Sequence, residues 1–295
     1  MKKTCRLCKQ DRELQKSHII PKFVGKYLKK TSMTGFLSAI DSHGNIGRTQ
    51  DLFKKKLLCK NCESLISGFE TYFEKTIFHP FNEGIIKSIP IDEKIGKFAV
   101  SVSLRVLWVL LEVKDSFALR WREKLFELED EWRNYLIETP GFAKGRNSHH
   151  IIFHSKAMMA GGLLNNPNLI FHLMRSSAFY IYEKYNKAYI SSNMAGIQII
   201  SMIEPTGLPV SRGTQVYPEQ KFGQEKLGIG WGGYFQNLMD FSRDCNSALC
   251  NLTERQKQII SRAISKNINK ACHSEDLKIF IEQESLLQFG RKEPR

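Results

Sequence analysis

The chain has 295 residues, of which 42% are hydrophobic and 25% are charged. This length can bury a sizeable core, and the composition excludes a mostly disordered, collagen-like or coiled-coil protein. The formal net charge is +14, and this balance favours a polyanionic partner. Nucleic acid is the first candidate.

Most of the excess positive charge lies near the start of the chain. Residues 1–62 contain 15 Lys or Arg and four Asp or Glu, whereas the other 233 residues contain 29 basic and 26 acidic side chains. The net charges of these segments are therefore +11 and +3, and we expect the first fifth of the chain to contact nucleic acid. A solvated basic surface is the alternative interpretation. Lysines predicted to bind phosphates without reading bases are Lys22, Lys26, Lys29, Lys30, Lys54, Lys55 and Lys56.

The first residues are basic and lead into polar residues, so no secretory signal peptide is expected. The apolar run at 98–113 has 16 residues and contains Arg105, whereas a bilayer span needs roughly 20 apolar residues. We therefore predict a cytoplasmic protein without membrane contact, in which this run is a buried helix.

Periodicity and turn residues predict an α+β fold. Residues 17–21 form a strand-like step, and the turn-forming segment 41–45 lies between two segments of a predicted hairpin, 34–40 and 46–59. Short β-type runs within 149–203 predict a small antiparallel sheet, and 206–230 reads as a loop. Helices are predicted at 63–76, 94–114, 117–137, 234–250 and 253–266.

Two cysteine pairs are the strongest motif in the sequence. Cys5-x-x-Cys8 and Cys59-x-x-Cys62 each put two thiolates on a tight turn, and four such ligands satisfy tetrahedral Zn²⁺. A site closed by four thiolates is structural, so the zinc would hold a module together without taking part in chemistry. Unrelated buried cysteines are the alternative.

The order of motifs carries a family resemblance. Cys5-x-x-Cys8, then Ser17-His18-Ile19-Ile20-Pro21, then Leu57-Leu58-Cys59-x-x-Cys62-Glu63 resembles the zinc-knuckle branch of the HNH endonucleases, which have the ββα-metal fold. The chain is also similar to uncharacterised bacterial HNH-like proteins with an apolar helix and a mixed domain downstream. The motifs cover about residues 5–75. The resemblance implies a zinc-stapled HNH-like module at 1–80 and, at 81–295, a helical and antiparallel-sheet domain for substrate selection, regulation or oligomerisation.

The resemblance also implies an activity. It is metal-dependent hydrolysis of phosphodiester bonds, in DNA rather than RNA, with a role in bacterial genome defence by analogy. His18, at the end of the first strand, would be the general base that deprotonates a water molecule, and Mg²⁺ or Mn²⁺ held by the following helix would stabilise the developing charge. A structural histidine is the alternative for His18.

Two positions depart from the family pattern. Ser17 stands where members commonly carry Asp, and Glu63 stands where they carry Asn or His. We expect Glu63 to hold the metal that Ser17 cannot, with Glu70 further along the helix as an outer partner; an acid placed by the helix dipole is the alternative for Glu63. Asn45 or His43 could replace the middle Asn of the family motif, although a simple turn residue is the preferred interpretation.

The incomplete ligand set leaves a second class of function open, a non-catalytic zinc module that binds nucleic acid or a protein partner. A second metal site is also conceivable at His150 and His154, which share one face of a predicted strand, but a half-buried strand surface is the preferred interpretation.

Overall fold

The computed structural model describes residues 3–41, 44–85, 89–90, 92–112, 119–138, 149–154, 168–184, 187–204, 221–222 and 232–290. These residues form a mixed structure of helices and antiparallel sheets, which confirms the predicted α+β class. The predicted loop at 206–230 falls mostly outside the described residues, as does His43.

The strands are short except in one sheet. In chain order they are β1 Lys3–Thr4, β2 Asp11–Arg12, β3 Leu14–His18, β4 Leu37–Ile40, β5 Ile46–Thr49, β6 Lys54–Cys59, β7 Ile89–Pro90, β8 His149–Phe153, β9 Ser177–Lys184, β10 Lys187–Met194, β11 Ile197–Glu204 and β12 Lys221–Phe222.

The helices flank the sheet with the long strands, β8–β11, and the N-terminal strands. They are α1 Lys22–Thr31, α2 Lys60–Phe73, α3 His79–Asn82, α4 Glu93–Leu110, α5 Arg122–Leu136, α6 Leu169–Met174, α7 Gly232–Cys250, α8 Glu254–Lys266, α9 Ile268–Cys272 and α10 Glu275–Gly290. A π-helical turn, Glu74–Phe78, joins α2 to α3.

The largest sheet has the strand order β8-β11-β10-β9, and all its neighbours are antiparallel. Because successive side chains of a strand point to opposite faces, β11 contributes to two cores. Ile197 and Ile199 pack in a cluster with residues of α4, whereas Ile200 and Met202 pack in a cluster with residues of α6 and α7. The sheet therefore separates two layers of helices.

Helix α4 lies at the centre of the molecule. Its N-terminus is capped by Asp92, whose Oδ1 accepts a hydrogen bond from the backbone N–H of Ile95 at 2.9 Å. Nearly all of its side chains are buried, so the predicted buried helix is confirmed. No helix among the described residues is long and apolar enough to cross a bilayer.

The first 80 residues share their hydrophobic cores with the rest of the chain. The rings of Phe73 on α2 and Phe98 on α4 stack with their centroids 3.8 Å apart. In a second cluster, Leu57 and Leu58 of β6 pack with Trp108 of α4. Both clusters thus cross the expected boundary at residue 80, and the division into units 1–80 and 81–295 stays a prediction.

The N-terminal region differs from the sequence expectation in two elements. Helix α1 was not predicted, because its lysines obscure the buried stripe that includes Phe23, Val24 and Leu28. The hairpin prediction is confirmed for β4 and β5, which pair antiparallel. The remainder of segment 46–59 is wrong as a hairpin arm, because β6 pairs with β3.

Candidate metal centre and catalytic residues

The two cysteine pairs converge on one point. Cys5 and Cys8 lie in the turn between β1 and β2, Cys59 ends β6, and Cys62 lies in the first turn of α2. All four Sγ atoms lie within 4.8 Å of one another, and Sγ of Cys8 is 3.9 Å from Sγ of Cys59. A tetrahedral zinc with bonds of about 2.3 Å requires sulfurs about 3.8 Å apart, so the donor set fits one zinc ion. The spacing is too long for a disulfide, which needs about 2.05 Å.

Residues next to this cluster form two antiparallel strands followed by a helix. Strand β3 pairs with β6, with His18 opposite Lys54, and α2 begins directly after Cys59. The cysteine cluster fixes the junction of β6 and α2 and thereby the start of the helix. His18 is the last residue of β3, and its side chain is 13% exposed.

Asp51 is the partner of the His18 ring, and sequence reasoning missed it. Its Oδ1 lies 2.9 Å from Nε2 of His18, and its Oδ2 forms an ion pair with Lys54. Partial burial acts to raise the pKa of Asp51, but hydrogen bonds from Lys54 and His18 outweigh it and hold this pKa well below its usual range. Asp51 is one of only four acids in residues 1–62, and this scarcity was the signal available in the sequence.

Glu63 contacts the strand that carries His18. Its Oε2 accepts a hydrogen bond from the hydroxyl of Ser17 at 2.6 Å, and Ser17 is completely buried. The carboxylate is therefore aimed at β3 as expected, while its role as a metal ligand stays a prediction. Glu63 also lines an open cleft of about 690 Å³ between β3 and α2, together with Lys16 and Lys60. These two lysines were not among those selected from the sequence.

Glu70 has a different neighbour from the one expected. Its Oε1 lies 2.6 Å from Nη1 of Arg105, whose side chain is 2% exposed. The same Nη1 donates a hydrogen bond to the backbone carbonyl of His18 at 2.8 Å. Glu70 is thus coupled to the end of β3 through a buried arginine of α4, and its role as an outer metal partner stays a prediction. The signal in the sequence was a charged residue inside an apolar helix.

Asn45 stabilises the β4–β5 turn. Its backbone N–H and its side-chain amide donate hydrogen bonds to the carboxylate of Asp41, at 2.9 Å and 3.1 Å. Gly44, and not Asn45, adopts the positive φ in this turn. These contacts support the turn interpretation, and the assignment of Asn45 as a catalytic residue stays a prediction.

The selected lysines divide into two groups. Lys54 is paired with Asp51, and Lys55 is paired with Glu112, which follows α4. Nζ of Lys29 lies 3.4 Å from the side chain of Gln50. The remaining four are exposed, three of them at helical spacing on one face of α1: Lys22, Lys26, Lys30 and Lys56.

A preformed carboxylate or histidine cluster for the catalytic cation is not found in the described part of the chain. There, the four cysteines are the only group of three or more metal-binding side chains close enough to hold an ion. Mg²⁺ often binds through one or two carboxylates together with waters and substrate phosphates. Glu63 alone therefore fits such an ion only when the substrate supplies further ligands.

His150 and His154 are more deeply buried than expected, at 4% and 1% exposure, which corrects the half-buried surface to a packed interior. Nε2 of His154 lies 2.8 Å from the side-chain oxygen of Gln198. Burial lowers the pKa of His150 to about 4, and it lowers that of His154 to about 4 despite the opposing hydrogen bond with Gln198. Both rings are therefore neutral at neutral pH.

His154 should make the stability of the protein dependent on pH. In the unfolded chain a histidine binds a proton below about pH 6.5, whereas the buried ring stays neutral down to about pH 4. Between these values the unfolded state binds more protons, so stability falls as pH falls. From His154 alone, we expect a loss of about 1 kcal/mol between about pH 7.5 and about pH 5.5.

Urea unfolding of wild type and His154→Gln over this range, with zinc present, measures the effect. The variant should lose about 1 kcal/mol less than wild type on acidification. The exposed residue His273 provides the control variant His273→Gln. Parallel stability curves for wild type and His154→Gln would contradict the prediction.

Comparisons with protein-family models, curated proteins and solved structures found no significant match to this chain. The resemblance to HNH nucleases therefore rests on the sequence motifs alone.

Proposed function

We propose that the chain is a metal-dependent endonuclease of the HNH type that hydrolyses phosphodiester bonds, with DNA as the favoured substrate. One observation carries the proposal: an antiparallel strand pair and the following helix, joined at a four-cysteine cluster, hold His18 at a strand end beside an ionised carboxylate. The basic N-terminal region and the lysines of the adjacent cleft fit a polyanionic substrate.

In this function His18 removes a proton from the attacking water. A carboxylate only accepts hydrogen bonds, so the ionised Asp51 holds the proton of the neutral ring on Nε2. Nδ1 is then the nitrogen with a free lone pair, and it is the atom that takes the proton from water. Asp51 does not touch the substrate and acts as a positioning residue for His18.

The backbone at His18 is held by a residue of α4. Arg105 donates to the carbonyl oxygen of His18 and is itself paired with Glu70, so the end of β3 is fixed by a buried ion pair. Lys16 and Lys60, which line the cleft with Glu63, would neutralise substrate phosphates. A bound Mg²⁺ or Mn²⁺ would supply stabilisation of the charge on the phosphate and the leaving oxygen.

The test is a metal titration of plasmid cleavage under single-turnover conditions, with wild type and Glu63→Gln. Gln keeps the size of the side chain and its hydrogen bond with Ser17 while removing the charge that favours a hard cation. At low Mg²⁺ we expect cleavage by the variant to fall by at least about 10–100-fold, the cost of losing even an outer metal partner. Part of the activity should return at high Mn²⁺.

Glu83→Gln provides the matched control, because Glu83 is an exposed acid that does not line the cleft. Its titration curve should follow that of wild type. Superimposable curves for wild type and Glu63→Gln would show that Glu63 is only an acid at a helix start. Absence of metal-stimulated cleavage by wild-type protein would reject the nuclease proposal.

A non-catalytic zinc module that binds nucleic acid is the second candidate, and one feature favours it. Neighbouring side chains of a strand project to opposite faces, and here Ser17 contacts Glu63 while His18 contacts Asp51. The proposed base and the proposed metal ligand are therefore held at opposite faces of β3. Binding of DNA without cleavage in the titration above would favour this candidate.

A further inference from the structure

A second basic feature lies away from the cleft between β3 and α2. The β4–β5 hairpin, with the segment before it, and the helices α8 and α9 enclose an open groove of about 500 Å³. Among the described residues, no carboxylate lines this groove. Four cations line it: Arg48, Arg262, Lys266 and Lys270.

The helical cations of the groove come from two helices. Arg262 and Lys266 are four residues apart and so share one side of α8, whereas Lys270 lies on α9, which begins after the non-helical residue Asn267. Residues 255–274 contain five Lys or Arg and no Asp or Glu. The net charge of +3 over residues 63–295 therefore conceals a strongly basic segment.

The groove cations also differ from other cations of the C-terminal helices in their ion pairing. Lys257 and Lys278 each pair with the glutamate three residues before, and Arg243 pairs likewise with an aspartate. Within the described residues, none of the four groove cations forms an ion pair. Their charge is therefore available to an external anion.

Packing within and between the two walls holds two of the cations in place. The guanidinium of Arg48 lies over the ring of Phe36, 4.6 Å from its centroid. Nζ of Lys270 lies only 2.9 Å from the position that a Cβ at Gly35 would occupy, and Gly35 has a φ of 73°. The side-chain amide of Gln256 on α8 donates to the backbone carbonyl of Ile46 on β5.

We propose that this groove is a second binding site for the phosphodiester backbone of nucleic acid, used to hold substrate and not to cleave it. The proposal rests on the proposed function for its class of ligand. The cations of the groove have no acidic partners in the described part of the chain, and such a surface favours a polyanion. One nucleic-acid chain that contacts both the groove and the cleft would bind more tightly than a chain that contacts either one alone. Phosphate contacts of this kind predict strong dependence on salt and no base specificity.

The test compares two triple variants of the full-length protein. The groove variant is Arg262→Gln, Lys266→Gln, Lys270→Gln, and the control variant is Arg243→Gln, Lys257→Gln, Lys278→Gln. Both remove three positive charges from the C-terminal helices, but the control cations already have carboxylate partners. Fluorescence anisotropy with a labelled double-stranded DNA oligonucleotide, without added divalent cation, measures the association constant over a range of KCl.

The groove variant should bind DNA more weakly than wild type. The slope of log association constant against log salt concentration should decrease by about one for each lost phosphate contact, or about three in total. The control variant should keep most of the wild-type slope. Equal slopes for the two variants would overturn the proposal, as would wild-type protein that fails to bind the DNA. Binding to anionic vesicles through the groove cations, with unchanged DNA binding, would assign the groove to a lipid surface and also overturn it.

Plasmid cleavage by the same proteins separates this proposal from the proposed function. If the groove variant has a reduced salt slope but wild type does not cleave, the groove proposal holds and the nuclease proposal is rejected. Cleavage by wild type, with equal salt slopes in the two variants, retains the nuclease and rejects the groove. If both hold, the groove variant should cleave slowly at low DNA concentration and approach the wild-type rate at saturation.

Discussion

His18→Ala should reduce the single-turnover rate of plasmid cleavage by about 10²–10⁴-fold, the usual contribution of a general base. The substitution removes the imidazole ring at the end of β3, whose Nε2 lies beside the ionised carboxylate of Asp51. It leaves the contact between Arg105 and the backbone carbonyl of residue 18 available, because that contact uses no side-chain atom of the histidine. The fold and DNA affinity should therefore be largely retained.

A control variant makes this result specific to His18. His79→Ala is the matched control, because His79 is a partly exposed histidine on α3 with a glutamate neighbour. Wild-type cleavage by a folded His18→Ala protein would remove His18 from the mechanism.

Cys59→Ser should lose stoichiometric zinc and destabilise the N-terminal region as one unit. Structural zinc contributes about 10–16 kcal/mol of apparent binding free energy in small zinc modules, whereas most single substitutions cost about 0.5–3 kcal/mol. Cys59 also stands where β6 meets α2, so loss of the ion releases the strand and the helix together. Metal analysis and thermal unfolding measure the two effects.

Cys272→Ser separates loss of the metal from loss of a thiol, because Cys272 is exposed and lies outside the cluster. This control should keep one zinc per chain and the wild-type melting profile. Hydrogen exchange should show that amides of β3, β6 and α2 lose protection in Cys59→Ser but not in Cys272→Ser. One zinc per chain in Cys59→Ser, with unchanged melting, would show that the four thiolates do not share an ion.

The features predicted correctly from sequence depend on short-range patterns. Each cysteine pair is separated by two residues, so a local turn places its thiolates together. Glu63 directly follows Cys62, so the same turn decides where its helix begins. The apolar run at 98–113 likewise predicted α4, because a long apolar helix can be recognised from its own sequence without knowledge of its neighbours.

The contacts that sequence reasoning missed join residues far apart in the chain or opposite in charge. Asp51 meets His18 across 33 residues, and Glu70 meets Arg105 on another helix. Neither pairing has a local signature, because it depends on how β3, β6 and α4 pack. The net charge of residues 63–295 also concealed the groove cations, because acids elsewhere in this region offset the five basic residues of 255–274.

The link between Arg105 and His18 has a consequence for the order of biosynthesis. All four cysteines, His18, Asp51 and Glu63 are translated before Arg105, which lies 87 residues after His18. A nascent chain that ends near residue 80 thus carries every proposed catalytic side chain but lacks the cation that fixes the backbone at His18. Contacts over such separations form late, since they require closure of a long loop. The fold thereby delays completion of the proposed site until α4 has been synthesised and has docked.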